Sequence, residues 1–212
     1  MHFACGPGCS QCCSVNVTAT SLEVEFLLAT GKNNGSHDII RSVVVGGKVG
    51  GERYRPTCTI NDAAGRYLRG RSPLEDSGNH APGVCPLLDE DGTCAIYAGR
   101  PFACRAMSSL QRCGGRNGEA VLPPFFVSLS FVVSQIIEHL DCHGRTGNFL
   151  DLLEAAVCGR SSGRLPDNHP LVEPVFDPAF RKPVNDFLAA LLPRPVGGIT
   201  FGDLLPSRLQ PR

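Results

Sequence analysis

Eleven cysteines are spread through a chain of 212 residues, and eight of them fall in two stretches: Cys5, Cys9, Cys12 and Cys13, then Cys85, Cys94, Cys104 and Cys113. A cysteine thiolate is a nucleophile, a redox group and a soft metal ligand, and clustering favours the last role, because several thiolates can share one cation. The first stretch, Cys5-Gly-Pro-Gly-Cys9-Ser-Gln-Cys12-Cys13, is too rich in Gly and Pro for regular structure. It reads as a ligand loop whose backbone can wrap closely around an ion. Cys12 and Cys13 are neighbours with α-carbons ~3.8 Å apart, and in extended backbone their side chains point to opposite sides. Such a pair serves two neighbouring centres more naturally than one. In the second stretch, Asp89-Glu90-Asp91-Gly92 has strong turn chemistry, so Cys85 and Cys94 are expected to fold back toward each other on a small β hairpin. Arg100, Arg105 and Arg112 lie near these cysteines in sequence; positive charge favours thiolate over thiol and offsets the charge that several thiolates leave around a metal.

An odd cysteine count makes a poor disulfide framework, and the first residues lack the basic-then-apolar pattern of a secretory signal. The expected compartment is a reducing cytoplasm, where clustered cysteines read as metal ligands or redox groups. Twenty basic residues balance twenty acidic ones with no long run of Lys or Arg, so the electrostatic footprint of a nucleic-acid binder is missing. The longest apolar stretch, over 125–137, is interrupted by serines and falls short of the ~20 residues a bilayer requires. It reads as a core helix, and no membrane association is expected.

The two stretches carry a resemblance. The N-terminal run is similar to the CxxCxxCC motif, and the segment C-x-L-x(6)-C-x-I-Y-x-x-R-P-x-x-C-R, with Cys85, Cys94, Tyr97, Arg100, Pro101, Cys104 and Arg105, resembles the second signature of the YkgJ-like cysteine-cluster family, described as zinc- or iron-chelating proteins. The first motif departs from the family pattern, since three residues rather than two separate Cys5 from Cys9. The resemblance spans residues 1–113. It implies that Cys9, Cys12, Cys13, Cys85, Cys94 and Cys104 bind metal, with Cys5 in addition, and it leaves zinc against iron open.

Counting Cys113, eight cysteines exceed what one tetrahedral zinc site accepts, so either two sites or one polynuclear site is expected. No histidine lies within either stretch, and iron–sulfur clusters are held by thiolates, so the favoured cofactor is an iron–sulfur cluster of the 4Fe-4S kind, more than one, or a larger one; the alternative is zinc. The expected function is redox or cluster-based chemistry with a redox partner protein or small-molecule substrate; the alternative is a zinc-stabilised interaction or metal-handling module. The spacing of Cys5, Cys9 and Cys12 also coincides with that of radical S-adenosylmethionine enzymes, but the chain is short for their barrel. No Ser/His/Asp order, paired-carboxylate motif or H-E-x-x-H helix is recognisable. Cys58 and Cys158 read as packed thiols. Cys142-His143 sits at an exposed helix end and reads equally as packed or as ligand. His2 reads as part of a mobile terminus, and His37, His80 and His169 as solvated loop residues.

The elements that must position these residues are mainly α, within a single cysteine-rich metal-binding domain over 1–212. Its parts are a cysteine-cluster half over 1–113, a helical half over 114–192 and an irregular tail over 193–212. The 24 Gly and 17 Pro imply much irregular backbone between short elements. Thr20-x-x-Glu23 resembles a capping box before Val24, Phe26, Leu27 and Leu28, and Gly31 can end the last turn, which predicts a helix over 21–30. The β-branched run 38–45 leads into Gly46-Gly47-Lys48-Val49-Gly50-Gly51, which matches no phosphate-loop pattern and reads as a flexible connection. Further helices are expected over 61–68, 125–140, 149–157 and 184–192, the last with Pro183 at its first position, and a polar surface loop over 70–83.

Overall fold

A computed structural model describes residues 2–6, 8–72, 82–113, 120–160 and 163–207. His80, most of the loop expected over 70–83 and the end of the tail lie outside the described residues. Helix α1 (Ser21–Asn34) begins on the expected capping box: Thr20 Oγ1 accepts from the Glu23 amide at 3.4 Å, and Glu23 Oε2 accepts from the Thr20 amide at 2.8 Å. The helix runs past Gly31, the expected stop, to Gly35, whose φ of 78° is left-handed. Gly31 instead allows close approach, since a Cβ there would stand 3.1 Å from the backbone nitrogen of His37 on the next helix, α2 (Ser36–Val45). The β-branched run is thus helical. Ile40, Val43 and Val44 fall on one buried face at spacings of three and four, and their packing outweighs strand propensity. The glycine-rich connection turns back so that Val49 enters the same core.

Helix α3 (Ile60–Leu68) starts at Thr59, whose hydroxyl accepts from the Asp62 amide. Helices α4 (Phe102–Ala106), α5 (Pro124–Leu140) and α6 (Phe149–Cys158) follow, with α7 (Arg181–Leu191) last. Pro183 sits third in α7, still within the first turn, where its missing N–H costs nothing. Two small antiparallel sheets complete a mainly α architecture: β1 (Thr18–Thr20) on β2 (Thr146–Asn148), and β3 (Pro195–Val196) on β4 (Ile199–Thr200). The second of these, with a 3₁₀ turn at Phe201–Leu204, gives the tail more regular structure than its prolines imply.

Among the described residues two apolar cores form. The first joins Val24 and Leu27 of α1, the buried face of α2, Leu87 and Ile96 of the second cysteine stretch, and Phe149, Leu150, Leu152 and Leu153 of α6. The second joins Val132 and Ile136 of α5 with Leu171, Val184, Leu192 and Leu205. α6 therefore packs with the elements that carry the cysteines.

Buried and half-buried polar groups tie these layers together through hydrogen bonds. Asn148, fully buried, donates to the carbonyls of Val15 and Tyr54 at 2.7 and 2.9 Å and caps α6 through the Leu150 amide. Asp141, at the end of α5, accepts from Ser21 Oγ at 2.6 Å and the Leu22 amide at 3.0 Å, so it faces the positive N-terminal end of α1. Gln135 and Glu138 line a polar stripe on α5: Glu138 accepts from the backbone amides of Asn61 and His169 at 2.8 and 2.7 Å, and burial pushes its carboxyl pKa up. Asp151, with no exposed side-chain surface, pairs with buried Arg53 and with Arg55 Nε at 2.7 Å. Burial opposes its ionisation, but the hydrogen bonds from Arg55 and Arg53 outweigh burial and hold its pKa below the ordinary carboxylate value.

Because its folded pKa is depressed, Asp151 contributes stability that is present above its unfolded pKa of 3.8 and lost as pH falls through the lower folded value. Asp151→Asn leaves a buried guanidinium without its counter-charge and is expected to cost about 3–5 kcal/mol in urea unfolding at neutral pH. A cost under about 1 kcal/mol means that the pair adds little to the fold.

Candidate metal centre

The two cysteine stretches meet through backbone pairing. The Cys85 amide donates to the Cys13 carbonyl at 3.1 Å, the Val15 amide to the Gly83 carbonyl at 3.1 Å, and Ser14 bridges Val84 in antiparallel register. Upstream, the loop winds through tight turns, Cys9 N to Gly6 O and Cys13 N to Ser10 O, which fold its sulfurs over a few residues. Downstream, the Asp89 side chain accepts from the amides of Asp91 and Thr93, Gly92 takes a left-handed φ of 74°, and Leu88 bridges Cys94. The expected hairpin is therefore present as a tight turn closed by a single bridge. Cys85 and Cys94 stand half-buried against the first core.

The residues after the hairpin build the mount for Cys104. A 3₁₀ turn at Tyr97–Gly99 lies against α1, where a Cβ on Gly99 would stand 2.6 Å from Leu27 Cδ1. Arg100 stacks over the Tyr97 ring at 4.1 Å. Arg105 turns back to the carbonyls of Ala98 and Arg100 at 2.6 and 3.1 Å, so it braces the turn and does not face the sulfurs through those nitrogens. Pro101 precedes α4, and the Phe102 amide at its start donates to Glu23 Oε1 at 2.6 Å. Glu23 thus caps α1 with one oxygen and the cysteine-bearing α4 with the other, a second role that the spacing of the capping box does not reveal.

Several of the sulfurs come within one another's electrostatic reach. Cys13, Cys85, Cys94 and Cys104 interact with one another. Burial, then the neighbouring Cys85, Cys94 and Cys13, pushes the Cys104 thiol up to about 12, against a weaker pull from Arg100. Burial also raises Cys13 and Cys85. Cys12 lies beside Cys13: burial and then Cys13 push its thiol up to about 11, and Cys9 and Cys5 add to the rise. Cys5, Cys9 and Cys113 line a cavity of about 290 Å³ together with Arg112 and Gln111. Buried Ser109 holds the start of the loop: its amide donates to Cys5 Sγ at 3.2 Å and its carbonyl accepts from the Ala4 amide. Sequence inspection passes over Ser109, since a lone serine carries no ligand signal.

Among the described residues, no three His, Cys, Asp or Glu side chains stand at the spacing of an assembled metal site. The sulfurs come within electrostatic reach of each other without being drawn onto one point. The donor set nonetheless fits a soft cation: thiols only, half-buried at Cys12, Cys13, Cys85, Cys94 and Cys104, with Arg100 to offset charge. Of the remaining cysteines, Cys58 and Cys142 are half-buried, and Cys158, expected in the core, is exposed as the last residue of α6, because the buried face of that helix is complete with Leu153. His2, His143 and His169 are exposed, and His37 is partly so. Among the described residues, no helix is long and apolar enough to cross a membrane.

Comparison with known proteins agrees with this geometry in its extent. No curated protein and no solved structure matches the chain. A family model covers residues 4–119, more than half of the sequence and both cysteine stretches, with the loop, the hairpin and α4. The chain belongs to the CxxCxxCC family, described as a putative zinc- or iron-chelating domain.

Proposed function

We infer that the metal is iron and that the chain is an iron–sulfur protein, with a 4Fe-4S cluster or clusters held by thiolates from Cys5, Cys9, Cys12, Cys13, Cys85, Cys94, Cys104 and Cys113. The observation that carries the reading is that two stretches containing eight cysteines and no histidine are brought together by backbone pairing at 13–15 and 83–85. Iron–sulfur clusters take thiolates, whereas many zinc sites mix in imidazole. A bound cluster supplies one-electron redox chemistry. The chain's own residues supply the rest: Arg100 offsets thiolate charge, the first core limits water around Cys85 and Cys94, and Glu23 fixes α4 so that Cys104 keeps its place. The partner is a redox protein or a small-molecule substrate, and the setting a reducing cytoplasm. Zinc is the second reading, because the family description names both metals and an all-cysteine zinc site is also a stable arrangement.

Anaerobic purification separates the two. A brown protein with acid-labile sulfide is expected; a colourless protein containing zinc and no sulfide ends the iron–sulfur reading. Cys94→Ser is expected to lower metal content and soluble yield together, whereas Cys158→Ser, at an exposed helix end, changes neither by much. Full metal in the first variant removes Cys94 from the ligand set. Glu23→Ala is expected to leave the Phe102 amide without its acceptor, so that hydrogen exchange there speeds by about tenfold, for a loss of about 1–2 kcal/mol, and metal is retained less firmly. Unchanged exchange at Phe102 argues against the double-capping role.

A further inference from the structure

Helices α3 and α5 turn matching faces toward each other without filling the space between them. On α3 the face is Ile60, Ala63, Ala64 and Tyr67, and on α5 it is Pro124, Val127, Ser128 and Phe131, the same helical spacing in both. Asn61 pins the first turn of α3 to α5: its side chain donates to the carbonyls of Gln135 and His169, each at 2.9 Å, and its amide donates to Glu138. Beyond that pin, Ala63 and Ala64 are too small to reach across, and a cleft of about 700 Å³ is left. The segment after Val175 forms its third wall. Gln135 holds that segment, donating to the Val175 carbonyl and accepting from the Val175 amide, both at 3.0 Å. Asp177 Oδ1 then accepts from the Ala179 amide and starts a 3₁₀ turn, Pro178–Phe180, whose Phe180 ring lies 6.0 Å from that of Phe125.

The chemistry of the lining selects what the cleft holds. Rings from all three walls take part, Tyr67 from α3, Phe131 from α5 and Phe176 and Phe180 from the last segment, and Phe131 is left 52% exposed. Asp177 is the one charged residue of the lining. It is exposed and already engaged on the turn it caps, and no Lys or Arg lines the cleft, so the interior offers a charged ligand no counter-ion. Ser128 is the polar exception. It is only 6% exposed, and among the described residues its hydroxyl makes no hydrogen bond, whereas Ser130 donates to the Phe126 carbonyl at 2.7 Å. A hydroxyl buried without a partner costs stability that a ligand can restore.

We propose that this cleft is a binding site for an uncharged, ring-bearing small molecule, held between the rings of Tyr67, Phe131, Phe176 and Phe180 and hydrogen-bonded through one polar group to Ser128 Oγ. Its volume falls within the roughly 300–1,000 Å³ of pockets that take drug-sized molecules. Walls on three sides and a hydroxyl more than nine-tenths buried fit a compact molecule that enters the cleft better than a protein surface that covers it. No cysteine lines the cleft, so the site stands apart from the metal-binding reading and from the choice between iron and zinc.

The test titrates the full chain with N-phenylnaphthylamine, an uncharged aromatic probe with one N–H that fluoresces in apolar surroundings, and in parallel with its anionic relative, anilinonaphthalene sulfonate. Saturable binding of about one uncharged probe per chain is expected, with the sulfonate weaker by about tenfold or more. Ala63→Phe, which fills the cleft from a half-buried position on α3, is expected to weaken the uncharged probe by about tenfold or more, and Ser128→Ala by about fivefold. Ser128→Ala is also expected not to lower the thermal midpoint, since the hydroxyl has no partner to lose. Phe26→Ala, at an exposed ring on α1, leaves probe binding unchanged. Far-UV circular dichroism checks that each variant is folded, and the comparison of the two probes on wild-type protein needs no variant at all. Absent binding, sulfonate binding as tight as that of the uncharged probe, or unchanged affinity in folded Ala63→Phe or Ser128→Ala overturns the site. A dimer that the probe disperses in light scattering overturns it as well, because the cleft is then a face between two copies of the chain.

Discussion

The short antiparallel contact between residues 13–15 and 83–85 is the constraint on which the metal-binding half depends. Two backbone hydrogen bonds and one bridge hold together segments some seventy positions apart, and they place Cys13 beside Cys85 before any side chain acts. Closing a loop of that length costs entropy that so few hydrogen bonds repay only in part. The remainder comes from the apolar residues that flank the contact, with Val15, Leu87 and Ile96 packed in the first core. A metal that bridged the two segments would add to the same closure and so couple metal content to folding.

The rest of the chain serves this closure more directly than its helical pattern implies. β2 and α6, which lie far along the sequence, supply Asn148, which holds the carbonyls of Val15 and Tyr54, and the Phe149–Leu153 face that completes the first core. Asp141 at the end of α5 caps α1, and α1 carries Glu23, which caps α4. A line of helix-end hydrogen bonds thus runs from the second half of the chain to Cys104. Each link satisfies amides that a helix terminus otherwise leaves unpaired, so the mount for the cysteine is built from groups that need partners in any case.

Much of this was legible in the residues. The capping box, the turn at Asp89–Gly92 and the starts of α3, α5 and α6 all depend on neighbours within a few positions, and local chemistry reads directly from local sequence. Where the reading went astray, a distant contact had overruled the local signal. Gly31 stops no helix, because α2 lies across it and uses its small size; 38–45 is helical, because its branched residues fill one buried face; Cys158 is exposed, because α6 buries the other side.

The cysteines show the same division. Sequence by itself determined which residues are able to bind metal, and that they are thiols without histidine, because ligand chemistry resides in side-chain type and spacing. Only the tertiary structure decided which of them meet: the Cys85 amide bonds to the Cys13 carbonyl, and Cys5, Cys9 and Cys113 line one cavity. That pairing depends on where the chain crosses itself, and a crossing is set by the packing of whole helices and by buried groups such as Asn148 and Glu23, whose partners lie many tens of residues away.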